Sequence, residues 1–516
     1  MDVTDPTFGA VLKARAAGAE RDQIAVRYGD DALSWRELDR RSDIRAVQLL
    51  ELGVQVDDLV AIALPNGVAH HEWTLAAWKA GATPCVLPSR LPGAELQDIV
   101  SLAEPRILIR PTADPIADAR SIAGDGPVVG PEGPIPADLA AANWKALASG
   151  GSTGRPKLIV DHGPPRYTAK INGLLTLVGI PEGGVVLNPG PLYHNGPFLF
   201  SNLALVAGAR LIGMERFDAE QCLALIARHR VDWVFMVPAM MHRIWNLPRE
   251  TREAYDLSSL KLVLHMAAAC PAWLKQAWID WLGPDRILEG YAGTEGPGTM
   301  ITGAEWLLKP GSVGRVPTGT ITVRDEQGQP CAPGEVGEIF LPAAAAERFH
   351  YVGGELRLDA EGRMSLGDLG YVDADGYLFL ADRRTDLIIR GGANIYAAEV
   401  ESALSEHPAI VSAVVIGLPS DDLGQRVHAI IETLSSQGLA VEAIDAFVRA
   451  RLSGYKRPES YEFVQTPLRD EAGKVRRSAL REERLRWLKD DVPFRVQVRP
   501  AAPAEPTPDA EPPDVP

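Results

Sequence analysis

Short apolar runs alternate with amphipathic stretches through roughly the first 300 residues of the chain. Residues 60–64 (VAIAL), closed by Pro65, predict a buried strand, and 70–80 predict a helix; 85–87 and 93–103 repeat the pair. Such alternation builds βαβ units on a largely parallel sheet, whose strands are covered on both faces and so read as unbroken apolar runs. From 311 to 382 the texture changes to short β-like runs between Gly-rich turns, such as 337–341 (GEIFL) and 376–380 (GYLFL). These predict a small antiparallel barrel or sheet. A further unit begins near Arg383, with a helix over 397–404, a strand over 413–417 and a helix over 441–452. That mixture predicts a compact α+β domain of roughly 100 residues. The fold class is therefore α/β, with a large core over 1–382 and a smaller domain over 383–490. The Pro-, Ala- and acid-rich 491–516 is expected to be disordered, since it offers no apolar period to bury. No internal repeat stands out.

Length agrees with this division, because 516 residues exceed what one hydrophobic core usually serves. The formal net charge of −16 offers no excess positive field to attract nucleic acid or an anionic membrane. An anionic substrate must be met by locally placed Lys, Arg and backbone N–H groups. Cys85, Cys222, Cys270 and Cys331 lack CxxC spacing, so neither a disulfide framework nor a zinc site is expected. The acidic start, with Asp2 and Asp5, does not resemble a signal peptide. No run of about 18 apolar residues predicts a membrane span. A cytoplasmic protein, monomeric or homodimeric, is expected.

Candidate chemistry starts at 149–157, SGGSTGRPK. Gly150, Gly151 and Gly154 allow the backbone to approach a polyphosphate, and Ser152 and Thr153 add hydroxyl donors. Lys157 or Arg155 can supply positive charge. The pattern is not GxxxxGK[ST], because Lys157 follows a proline and no helix start is signalled.

Further motifs follow in order: PLYHNG at 191–196, YAGTE at 291–295, GDLGYVDADGYLFLADRRTD at 367–386, GGANIYAAEVE at 391–401 and the GK at 473–474. Together they resemble the adenylate-forming superfamily of acyl-CoA synthetases, adenylation domains and luciferases, across residues 8–482. The resemblance implies that a carboxylic acid is joined to the α-phosphate of ATP and that coenzyme A then takes the acyl group. It implies a phosphate cradle from Ser149, Gly151, Ser152, Thr153, Gly154 and Lys157. Glu295 would hold Mg²⁺, Thr294 would meet the α-phosphate, and Tyr291 would pack on adenine. Ala268 joins the nucleotide contacts, Asp368 would grip both ribose hydroxyls, and Arg383 would help to hold the nucleotide. Lys474 would bring a cation to the α-phosphate and the attacking carboxylate. The C-terminal domain would be mobile about a hinge near Thr385, so that Lys474 leaves and the Gly391–Gly392 loop enters for the thiol step. Lys456, with Arg426 and Arg457, would meet the phosphates of CoA.

His194 lies in LYHN, similar to the aromatic–His pattern of acid–CoA ligases rather than the FDxS-type segment of amino-acid adenylation domains. It would line the acyl and thiol passage. The wording of SGGSTGRPK, of 273–287 and of ADRRTDLI is most like ligases for bulky acids of bile-acid, steroid or terpenoid type. Phe198, Trp233, Met236, Met240, His265 and Met266 are candidates to line the acyl pocket. Several positions depart from the family pattern: Ala292 stands where glycine is common, and Ala269 and Ala397 stand where proline is common. An extra methyl at Ala292 is expected to crowd the adenine, which leaves open a relative that performs only the thioester step on a supplied acyl-adenylate, or a noncatalytic ligand-binding relative.

Overall fold

The computed structural model describes residues 5–114, 116, 119–131, 133–136, 138–150, 156–293, 296–433, 440–471, 473–490 and 496–498. By its contacts the chain forms two units, Met1–Thr385 with Arg469–Ser478, and Asp386–Leu468 with Ala479–Pro516.

Two sheets frame the larger unit. In the eight-stranded one, Ile287–Gly293, Leu262–His265, Trp233–Met236, Val185–Asn188, Arg210–Gly213 and Ile24–Tyr28 run side by side in parallel. Antiparallel strands Gly296–Thr302 and Asp31–Ser34 close its two edges. Trp233–Met236 and Val185–Asn188 are buried at every position, as strands covered on both faces must be. The seven-stranded sheet holds the strands expected near 60 and 85, as Leu59–Ile62 and Thr83–Val86, joined by the helix Val68–Lys79. The helix Gly93–Ala103 has the expected bounds. Beside Thr83–Val86, Asn143–Gly150 and Pro156–His162 form an antiparallel pair, and Phe349–Val352 covers the latter as the edge strand.

Between 312 and 383 a five-stranded antiparallel sheet takes the order Ser312–Arg315, Tyr377–Arg383, Met364–Val372, Gly337–Leu341, Thr322–Arg324. Alternating apolar positions on these short strands leave room for one covered face, and Val313, Ile339, Met364 and Leu378 supply it.

The smaller unit packs the helices Ala397–Ser405 and Val441–Arg449 on a sheet of Ser412–Ser420, Gly424–Glu432, Ser460–Val464 and Val496–Val498. Its last strand corrects the expectation of disorder from 491 onward. The β-branched Val496 and Val498 flank Gln497, and all three pair with Ser460–Glu462 along an open sheet edge. Residues 491–495 and 499–516 lie outside the described residues.

Contacts also divide the chain differently from a continuous 383–490 domain, since Arg469–Ser478 groups with the larger unit. Gly473 explains why: a Cβ there would stand 3.1 Å from Ala239 Cβ and 3.5 Å from Val237 Cγ2. Arg384 likewise belongs to the larger unit, through an ion pair with Glu338 at 2.8 Å. Among the described residues, no helix is long and apolar enough to cross a membrane.

Candidate active site

Strand order reverses at Val185–Asn188: the next strand, Arg210–Gly213, lies on one side of it, and the one after, Trp233–Met236, on the other. Such a reversal opens a crevice beyond the carboxyl ends of the strands. The segment 191–196 leaves from this point and is pinned by Asn66, which follows a strand of the other sheet. Asn66 Nδ2 donates to Gly190 O and Met214 O at 2.9 Å each, and its Oδ1 accepts Leu192 N–H at 2.9 Å. His194 is thereby set at the N-cap of the helix Asn195–Val206, its ring centre 4.5 Å from that of Tyr193.

The Lys474 turn reaches the same place. Asp470 and Lys474 exchange backbone bonds, Asp470 N–H to Lys474 O at 2.9 Å and Lys474 N–H to Asp470 Oδ1 at 2.8 Å. Gly473, at φ +76°, supplies the left-handed residue that closes the turn. The second carboxylate oxygen of Asp470 stands 3.6 Å from His194 Nε2. Burial holds the His194 imidazole below its ordinary pKa; Asp470 opposes that shift and the positive charge of Lys474 reinforces it. The imidazole is therefore neutral at neutral pH and can accept or pass a hydrogen bond without carrying charge. Tyr193 is half-buried, and partial desolvation with the nearby charges of Asp470 and Glu471 pushes its phenol up to about 12.

A second cluster gathers where Tyr291, on the eight-stranded sheet, meets the five-stranded one. Tyr291 O–H donates to Asp368 Oδ2 at 2.8 Å, and Arg383 Nε lies 3.3 Å from Asp368 Oδ1. Asp368 and Arg383 face each other directly across paired strands. Sequence-predicted Tyr291, Asp368 and Arg383 thus meet at one carboxylate. Ala268, Ala269 and Ala292 are exposed, so the Ala292 methyl is not pressed into the protein's own core.

Ala267, beside them, adopts φ +76°, a region an L side chain enters only at a cost. Ala267→Gly is expected to raise the unfolding free energy by about 0.5–1 kcal/mol. A fall in the urea midpoint of the variant would show that the methyl has packing worth more than the strain.

On the phosphate side, Ser149 pairs with Lys157 across the two strands, and Gly150 pairs with Pro156. Gly151, Ser152, Thr153 and Gly154 lie outside the described residues, as do Thr294 and Glu295. Lys157 Nζ sits 3.7 Å from the centre of the Tyr351 ring, close enough for a cation–π contact.

In the smaller unit, Gly391 and Gly392 take φ +54° and +82° in the turn joining Ile388–Arg390 to Ala393–Ile395. Only glycine accepts two such residues in succession without strain. Lys456 Nζ contacts both oxygens of Glu399, at 2.7 and 2.8 Å, so its charge already has a partner within the unit.

The acyl-pocket candidates fare differently. Phe198, Trp233 and Met240 belong to one hydrophobic core and Met236 to another, while His265 is buried beside Glu289. Met266 alone is half-buried, packed toward Gly290. Sequence reasoning passed over Asn66, Tyr351 and Asp470. Of these only Asp470 left a local signal, an Asp three residues before a glycine, which is a turn signature.

The AMP-binding enzyme family matches residues 12–345, and the AMP-binding enzyme C-terminal domain matches residues 399–474. A feruloyl-CoA synthase of Amycolatopsis sp. is 32% identical over 484 residues, covering 90% of this chain and 97% of its own length. The long-chain-fatty-acid–CoA ligase FadD13 of Mycobacterium tuberculosis is 29% identical over 504 residues, covering 92% and 98%. Among solved structures, ATP-bound MatB from Rhodopseudomonas palustris superposes with a TM-score of 0.78 at 26% identity, covering 93% of this chain and 99% of that one. The o-succinylbenzoate CoA synthetase of Bacillus subtilis, at 24% identity and a TM-score of 0.77, shares the fold over 93% and 98%.

Proposed function

This chain belongs to the AMP-binding enzyme family, in which it is an AMP-forming acid–CoA ligase, and we propose that its acid is bulky and largely apolar. A carboxylate oxygen attacks the α-phosphorus of ATP, the bond to the β-phosphate oxygen breaks, and pyrophosphate leaves. The CoA thiol then loses its proton, attacks the acyl carbon and expels AMP. Bringing two anionic groups to one phosphorus makes alignment and positive charge the main needs of the first step.

The observation that carries this reading is the meeting of the Lys474 turn with His194 at the crevice of the strand reversal. Lys474 would offset the charge gathering at the α-phosphate, and neutral His194 would leave that field undiluted. Asp368, flanked by Tyr291 and Arg383, would take the ribose hydroxyls. Ser149, Ser152, Thr153 and Lys157 would hold the departing phosphates, and Thr294 the α-phosphate. Mg²⁺ takes oxygen ligands and usually keeps phosphates and waters among them, so one carboxylate, Glu295, would suffice. Bound there, the ion would draw charge from the pyrophosphate as it leaves.

For the thiol step, rotation of the smaller unit about Thr385 would withdraw Lys474 and bring in Gly391 and Gly392, with Lys456 toward the phosphates of CoA. Support for a bulky acid comes from the wording of SGGSTGRPK and from relatives whose names specify feruloyl and long-chain fatty acyl products.

The test is a panel of steroid, terpenoid, aryl, long-chain and short acids, with pyrophosphate release and acyl-CoA formation measured separately. We expect both products with one of the large acids, at a kcat/KM at least about tenfold above acetate, the worth of a few buried methylenes. Preference for a short acid would overturn the substrate class. CoA ester from synthetic adenylate alone, with no pyrophosphate from any acid, would overturn the first half-reaction.

A further inference from the structure

Lys145 is the one lysine that interrupts the otherwise apolar strand leading into SGGSTGRPK. Its side chain is only 2% exposed. A buried ammonium is tolerated only when its charge is paired and its donors are used. Here Nζ donates to Asn195 Oδ1 at 2.8 Å and lies 3.0 Å from Asp161 Oδ2, with the Trp144 ring centre 4.9 Å away.

These partners belong to different parts of the larger unit. Asp161 faces Lys145 directly across the antiparallel pair of the seven-stranded sheet. Asn195 opens the helix that packs on the eight-stranded sheet, one residue after His194. Lys145 therefore joins the two sheets at the mouth of the crevice. It stands four residues before Ser149, about 13 Å along a strand.

We propose that Lys145 is a positioning residue for adenylation, a clamp that holds the strand carrying Ser149 in register with His194 through Asn195 and Asp161. The proposal rests on the functional reading above. The phosphate segment and His194 sit on separate elements, and their spacing sets where the triphosphate lies relative to the acid. A shift of about 1 Å between reacting groups can cost about a hundredfold in rate. Asn66 pins the other end of 191–196, so loss of Lys145 would let the helix start pivot about that point.

The test uses equilibrium binding of Mg·ATP to the full chain, steady-state KM for ATP, and thermal melting. Lys145→Met keeps the length of the side chain and removes its charge; Asn195→Ala cuts only the link to the helix. Both are expected to weaken ATP binding, by about tenfold to a hundredfold for Lys145→Met and less for Asn195→Ala. Thioester formation from synthetic adenylate should change far less. Lys145→Arg, which retains a cation, should recover part of the affinity.

If Lys145→Met melts earlier yet its folded fraction binds ATP with unchanged affinity, the residue is a fold-stabilising pair and the clamp is overturned. Should Lys145→Met not fold, Asn195→Ala decides: unchanged ATP affinity there overturns the clamp as well. Failure of the unmodified chain to bind ATP would overturn the functional reading, and the clamp with it.

Discussion

Lys474→Ala is expected to slow formation of the acyl-adenylate by about 10²–10³-fold and to leave thioester formation from preformed adenylate within a few-fold of the unmodified rate. The lysine is delivered by a tight turn whose geometry depends on Asp470 and on the positive φ of Gly473. That turn packs on Val237 and Ala239, at the carboxyl end of a central strand, where a charge can act on a bound nucleotide. Truncation removes the charge without disturbing the turn, because the bonds closing it come from the backbone and from Asp470. Pyrophosphate release and CoA-ester formation, followed separately, distinguish the two steps. An equal fall in both, with the melting temperature unchanged, would contradict a role confined to the first step.

Asp368→Ala is expected to raise the KM for ATP by about 10²–10³-fold. Each charge-assisted bond to a ribose hydroxyl is worth about 1.5–3 kcal/mol, and two at the low end already slightly exceed about a hundredfold. The carboxylate is pre-set for this work, held by Tyr291 O–H at 2.8 Å and by Arg383 at 3.3 Å, with its side chain only 14% exposed. Loss of the carboxylate also removes the acceptor of the Tyr291 hydroxyl, whose ring is expected to face adenine. Asp368→Asn keeps the shape and one acceptor and should lose less. The check is the ATP dependence of pyrophosphate release at saturating acid; a change in kcat with KM untouched would place Asp368 outside the nucleotide site.

Much of this arrangement is written locally in the chain. The buried strands appear as apolar runs, because a parallel strand covered on both faces has no polar alternation to show. The helix Gly93–Ala103, the strand Gly337–Leu341 and the paired glycines Gly391 and Gly392 follow from period and backbone freedom alone. Asp368, Tyr291, His194 and Lys474 are candidates because they fall in motifs whose order resembles the family's. Nothing local singles out Lys474, and the structure adds that Tyr291 meets Asp368 and that the Lys474 turn reaches His194.

Other features belong to the tertiary structure. Phe198, Trp233, Met236 and Met240 look the same in sequence whether they line a pocket or fill a core, and the packing of the sheets assigned them to the core. Asp470 gains meaning only when its turn comes within 3.6 Å of His194, 276 positions away in the chain by residue number. The roles of Asn66 and Lys145 are likewise set by partners far off in sequence, Leu192 and Met214 for one and Asn195 for the other. Periodicity and turn chemistry act over a few residues, so the sequence by itself determines elements and motifs. Which side chains converge on one crevice depends on strand order and sheet-to-sheet packing, and those are decided only when distant segments meet.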